Sequence, residues 1–159
     1  MTEITLILAT VSMGLIAGLF YTFSISVMPG FRRISDSAFV ESMNAINGAI
    51  QNLGFALSFF GALLFTSAAL VLDITGGQAA IMPVTLALGL YVVALIITFG
   101  VNIPLNIELE RALASGSRVS VATLRERFER RWTGWNAARM LLSAAAFVLL
   151  CTALPAGIG

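Results

Sequence analysis

Four stretches of this sequence, Ile4 to Met28, Leu53 to Leu72, Ile81 to Ile103 and Met140 to Ile158, stay apolar long enough to cross a lipid bilayer. A hydrocarbon core of about 30 Å takes about 20 residues of helix at ~1.5 Å each. Inside lipid, every backbone N–H and C=O must find its partner within the segment. Each stretch is therefore predicted to be a membrane helix. Composition agrees, because 58% of the 159 residues are hydrophobic and 11% are charged, far from the balance of water-soluble domains. Sequential short connections predict an all-α, integral membrane four-helix up-down bundle, with residues 1–159 as a single four-span domain.

The first span is expected to remain in the mature protein. Glu3 is the only early charge, no basic segment precedes the span, and its apolar run exceeds that of a cleaved leader. Cys151 is the only cysteine, so no intrachain disulfide forms. Histidine is absent, which removes the commonest ligand of zinc and copper, the usual axial ligand of haem and the usual general base. The eight carboxylates include no Glu-x-x-His pair, and none is expected deep inside a span. No metal site and no cofactor are predicted.

All nine basic residues are arginines. Arg32 and Arg33 follow the first span. Arg111, Arg118, Arg125, Arg127, Arg130 and Arg131 lie between the third and fourth, and Arg139 enters the fourth. The positive-inside rule then puts the first and third connections in the cytoplasm, with both termini outside an inner or plasma membrane. Asp36, Glu41, Glu108, Glu110, Glu126 and Glu129 are interleaved with these arginines. Mixed charge of this kind suits an anionic lipid surface and argues against nucleic acid.

Gly14 and Gly18 in GLIAG, and Gly54, Ser58 and Gly61 on the second span, are small residues at helix-packing spacing. They suit packing within the bundle and leave a homo-oligomer open. Pro29-Gly30 ends the first span. Ser35-Asp36-Ser37 offers a cap, and Phe39, Met43, Ile46 and Ile50 then recur at helical spacing. Leu105, Leu109 and Leu113 extend the third span, Ser115-Gly116-Ser117 punctuates it, and Val119 to Trp135 reads as an amphipathic helix. Helical extensions on the cytoplasmic side follow. Each half is thus a span, a proline, an amphipathic segment and a second span, which is compatible with a parallel repeat and equally with shared membrane constraints.

Asparagine is costly in lipid, yet Asn44, Asn47, Asn52, Asn102, Asn106 and Asn136 all gather at the arginine-rich ends of the spans. Trp132, Trp135, Asn136 and Arg139 fall at i, i+3, i+4 and i+7, roughly one helical face. Pro104, between Asn102 and Asn106, lacks an N–H and crowds the carbonyl of Gly100, so a kink there would expose a polar wall. Glu41 and Asn44 lie three apart at the same depth. The competing reading is that Trp and Arg belong at membrane interfaces, with Trp132 an anchor and Arg139 snorkelling to the headgroups.

MNAIN (Met43 to Asn47), NIPLN (Asn102 to Asn106) and WTGWNAAR (Trp132 to Arg139), in this order among four spans, resemble the small membrane proteins grouped with anthrone oxygenases. That resemblance implies oxygenation of an anthrone to an anthraquinone by dioxygen, without metal or flavin. It places Trp135 against the flat rings, helped by Trp132, Asn102, Asn44 and Asn47. Asn106, Asn136 and Arg139 would donate to the enolate oxygen. With no histidine, Glu41 or Glu108 would have to take the proton. The expected partners are the lipid bilayer, an apolar aromatic small molecule and dioxygen. The competing function is a non-catalytic membrane subunit or small-ligand-binding protein. Transport has least support, since no charge is expected deep in a span.

Overall fold

The computed structural model describes residues 2–76, 81–115 and 119–154. The expected break at Gly116-Ser117, the charge of Arg118 and the last part of the fourth span, 155–158, lie outside the described residues. Helix α1 (Thr2–Thr22) continues through a π-helical turn (Phe23–Val27) into α2 (Met28–Phe31), and α3 (Asp36–Ala49) follows. Next come α4 (Leu53–Gly76) and α5 (Ile81–Ile97). A second π turn (Thr98–Asn102) leads α5 into α6 (Ile103–Ala114), and α7 (Val121–Ala153) completes the chain. There is no strand among the described residues.

Four continuous helical runs, Glu3–Phe31, Leu53–Gly76, Ile81–Ala114 and Val121–Ala153, are long and apolar enough to cross a membrane. Their outward faces carry Ile4, Leu15, Leu57, Leu64, Ile96, Leu141 and Val148, each more than half exposed. An apolar girdle of this extent is costly in water and suits lipid. The chain is an all-α membrane bundle. Around it α1 packs on α4, α4 on α5, α5 on α7, and α7 back on α1. Each span therefore neighbours the next in sequence, as short antiparallel connections require.

Small residues set the closest approaches. A Cβ on Gly14 would stand 2.9 Å from Phe147 Cε2, and one on Gly61 would stand 3.2 Å from Ser12 Oγ, whereas Gly18 faces open space. GLIAG thus serves the contact of α1 with α7 through its first glycine only. On α7 the buried side chains are Phe128, Trp132, Asn136, Arg139, Ser143, Ala146, Leu150 and Ala153. Steps of three and four residues keep them on one stripe, so the amphipathic segment and the fourth span form a single rod.

The second span runs one turn past Leu72. Asp73, expected to open the connection to α5, is instead a buried residue of α4. Asp73 lies three residues before the end of α4, and Arg139, where the fourth span begins, is 5% exposed and points inward, so both charged side chains are buried.

Proline shapes the other two rods. Pro29 and Pro104 each occupy the second position after a π turn. The residue before each proline closes an i to i+5 bond, Met28 N–H donating to Phe23 O and Ile103 N–H to Thr98 O. Because proline has no N–H and its ring crowds the carbonyl four residues back, the helix widens there and continues.

At the arginine-rich end, Ser35 Oγ accepts from Ala38 N–H and starts α3, and Ser120 Oγ accepts from Thr123 N–H and starts α7. Arg125 joins the two. Its Nη1 donates to Ile34 O at 2.9 Å and Asp36 Oδ1 at 3.0 Å, Nη2 to Phe31 O at 2.9 Å, and Nε to Glu129 Oε2 at 2.9 Å. The guanidinium also covers the Phe39 ring at 4.6 Å. These bonds hold the bend between α2 and α3 against α7. Beneath them Phe23, Met28, Phe39, Val40, Met43, Leu105, Leu109, Phe128 and Trp132 form an apolar cap, separate from the core between the spans.

Candidate functional site

A cavity of about 450 Å³ lies where the cap meets the core of the spans. Phe20 and Phe59 line it from the core, and Phe23 and Trp132 line it from the cap. Leu19, Ile46, Ile50, Phe55, Ile103 and Ile107 extend its apolar wall. Its polar groups are Asn47, Gln51, Thr98, Asn102, Asn106, Glu110, Asn136 and Arg139, besides the Trp132 N–H. A volume of this size falls within the range of small-molecule pockets.

The deep end is built on Asn136 and Arg139. Asn136 is fully buried; its Nδ2 donates to Phe20 O at 3.0 Å and Ser24 Oγ at 2.9 Å. This turns Asn136 Oδ1 toward Arg139, whose Nη2 donates to it at 2.9 Å. Arg139 Nη1 donates to Thr98 Oγ1 at 3.2 Å, and Thr98 in turn donates to Ala94 O at 2.8 Å. The guanidinium carbon lies 4.3 Å from the Phe20 ring centre and 5.7 Å from that of Trp132.

Every partner of Arg139 is neutral. Its Nε has none, and no carboxylate pairs with it among the described residues. A buried cation without a counter-ion is costly unless something supplies negative charge.

One wall is a ladder of four residues at steps of four, Thr98, Asn102, Asn106 and Glu110. In an ideal α-helix each such step drifts by about 40°. The π turn over Thr98–Asn102 holds more residues per turn and reduces that drift where the ladder begins. Asn106 Oδ1 accepts from Trp132 Nε1 at 2.9 Å, and Asn102 Nδ2 donates to Trp132 O at 3.4 Å. Both bonds lock Trp132. Asn102 Oδ1 and Asn47 Nδ2 are buried without partners, so polar capacity is left unused beside the cavity.

Several residues expected at one site therefore do meet: Arg139, Asn136, Asn106, Asn102, Asn47 and Trp132 all line this cavity. Trp135 does not. It is 42% exposed and faces away, because adjacent helical residues point about 100° apart and Asn136 takes the inward direction. Trp132, 4% exposed, is the indole within the site. Asn44 is half-buried off the cavity, and Glu41 is exposed and off it as well. Glu108 lines a separate recess of about 150 Å³ with Arg127 and Arg131.

Sequence reasoning missed Glu110, Gln51, Thr98 and the phenylalanines at 20, 23, 55 and 59. The repeated step of four in Thr98, Asn102, Asn106 and Glu110 was the available signal. Among the described residues no three Cys, Asp or Glu side chains come together to hold a metal ion.

A family model described as anthrone oxygenase matches residues 53–149, more than half of the chain. No curated protein and no solved structure matches. The matched segment contains the ladder, Phe55 and Phe59, and Trp132, Asn136 and Arg139.

Proposed function

The chain belongs to the anthrone oxygenase family, and from that premise we propose that it oxidises an apolar aromatic ketone with dioxygen inside the cavity, using no bound cofactor. The observation that carries this reading is Arg139, a buried cation with neutral partners on the wall of an otherwise mostly apolar chamber. A neutral ketone gains little from such a group. Its enolate gains much, because the charge develops on an oxygen beside a buried guanidinium.

Anthrone chemistry fits these demands. Loss of a proton from the methylene moves its electron pair through the ring onto the carbonyl oxygen, giving an enolate whose former methylene carbon is electron-rich. That electron-rich carbon reduces dioxygen, forming a C–O bond and, after protonation, a hydroperoxide. Loss of the second methylene proton with cleavage of O–O gives the new carbonyl and water. One dioxygen is consumed, one oxygen atom enters the product, and the other leaves as water.

Arg139 holds the enolate oxygen. Asn136 holds Arg139 and keeps its direction, since the carbonyl of Phe20 and the hydroxyl of Ser24 fix the amide. Trp132, pinned by Asn106, offers a flat face to the rings.

The arginine-rich ends would face the cytoplasm of an inner or plasma membrane, by the charge bias of the first and third connections. The apolar substrate would then reach the cavity from the lipid. The test is oxygen uptake by protein purified in detergent and supplied with anthrone. The expected result is anthraquinone formation well above the uncatalysed background. Binding of the ring system without turnover would leave a ligand-binding protein, and absence of both would remove this reading.

A further inference from the structure

An enolate requires a base, and the two carboxylates suggested by sequence spacing, Glu41 and Glu108, do not reach the cavity. We propose that Glu110 is the proton acceptor, an assignment that rests on the oxygenase reading above.

Elimination carries the first part of the argument. The sequence has no histidine and eight carboxylates, all within the described residues. Asp36 and Glu129 are held by Arg125. Glu126 lies in a shallow surface recess with Arg32 and Arg130. Glu3 and Asp73 belong to the opposite end of the bundle. Tyr91 is committed to Phe59 O at 2.7 Å. Glu110 is the one carboxylate among the described residues that lines the cavity. It forms no hydrogen bond or ion pair among the described residues.

Placement carries the second part. Thr98, which touches Arg139, and Glu110 mark the two ends of the ladder. Twelve residues of helix separate them by ~18 Å along the axis. Both side chains lean toward the helix N-terminus, and the longer one of Glu110 reaches back further than that of Thr98, which narrows the gap by ~3 Å. A ring with its carbonyl and acidic methylene on opposite sides, contacted at ~3 Å at both ends, spans ~10 Å, and one intervening water at the Glu110 end extends this to ~13 Å. The substrate then lies along the ladder, oxygen toward Arg139 and methylene toward Glu110. The C–H bond breaks, its electron pair moves to the carbonyl oxygen, and the proton passes to the Glu110 carboxylate. Glu110, at the exposed mouth, can return the proton to the peroxide or release it to water.

Hydrogen–deuterium exchange at the anthrone methylene under argon isolates this step, because no oxygen is present to consume the enolate. The full chain in detergent should accelerate exchange over detergent alone. Glu110→Gln should lose roughly 100-fold or more of that acceleration while binding 9,10-anthraquinone as wild type does, and Glu110→Asp should retain part of it. Glu108→Gln should exchange like wild type. Undiminished exchange by Glu110→Gln overturns the proposal. Wild-type protein that binds anthraquinone yet exchanges no faster than detergent also overturns it, leaving the cavity as a binding site. Neither binding nor exchange overturns the oxygenase reading together with it.

Discussion

Replacing Arg139 by methionine should separate a cation kept for a ligand from one kept for the fold. Two charge-assisted hydrogen bonds to neutral acceptors, at 2.9 and 3.2 Å, would be lost, at about 1.5–3 kcal/mol each. Loss of the ring contact with Phe20 adds ~1–2 kcal/mol. Against this stands the removal of a guanidinium buried without a counter-ion, which relieves a desolvation penalty of several kcal/mol. Methionine fills most of the same space and leaves Thr98 still bonded to Ala94. The two sides nearly cancel, so Arg139→Met should unfold within about 2 kcal/mol of wild type. Asn136→Leu should behave differently. It strips donors from Phe20 O and Ser24 Oγ and leaves Arg139 Nη2 facing no acceptor, a cost of about 3–5 kcal/mol. Adding Arg139→Met to that variant should recover ~1–3 kcal/mol. Reversible unfolding in mixed micelles, followed by tryptophan fluorescence, measures all three. If Arg139→Met alone loses more than about 4 kcal/mol, Arg139 is a structural pin and the unpaired-cation argument fails.

The two glycines of GLIAG should part company in the same assay. Gly14→Val pushes into Phe147 and should cost ~1–3 kcal/mol, while Gly18→Ala meets nothing and should change stability by less than about 1 kcal/mol. The two indoles should divide in ligand titration. Trp132→Phe leaves Asn106 Oδ1 without its donor and should weaken anthraquinone binding by roughly 5-fold or more. Trp135→Phe, outside the cavity, should bind like wild type.

Sequence was most informative where one physical constraint acts alone. Lipid demands long apolar helices, so the spans and their up-down order follow from hydropathy. The cost of amides in lipid likewise points to the end of the bundle where Asn47, Asn102, Asn106 and Asn136 meet. What spacing could not settle was rotation about each helix axis. Trp132 and Trp135 sit three apart and share a nominal face, yet on α7 a stripe running from Phe128 to Ala153 fixes the inward direction, and it passes through Trp132, Asn136 and Arg139. Arg139 carried both a snorkelling and a site reading in the sequence. Burial against Phe20 and a fixed acceptor on Asn136 turn it inward, away from the headgroups.

Glu110 shows why the remaining wall was hidden. Judged with α-helical periodicity, the three steps of four from Thr98 to Glu110 accumulate a drift of about 120° and leave the carboxylate on another face. A π turn forced by Pro104 changes the phase at the start of the ladder. The same proline that suggests a kink in the sequence therefore helps to bring Glu110 onto the cavity, so the placement of Glu110 depends on a π turn five residues long. If that coupling holds, Pro104→Ala should let the rod relax toward regular α-helix and turn Glu110 away. Anaerobic exchange should then fall, while Arg139 and Asn136, fixed on α7 and bonded to α1 and Thr98, still bind anthraquinone. Unchanged exchange by Pro104→Ala, with the π turn shown to be gone, would mean that the ladder does not need its wider turn.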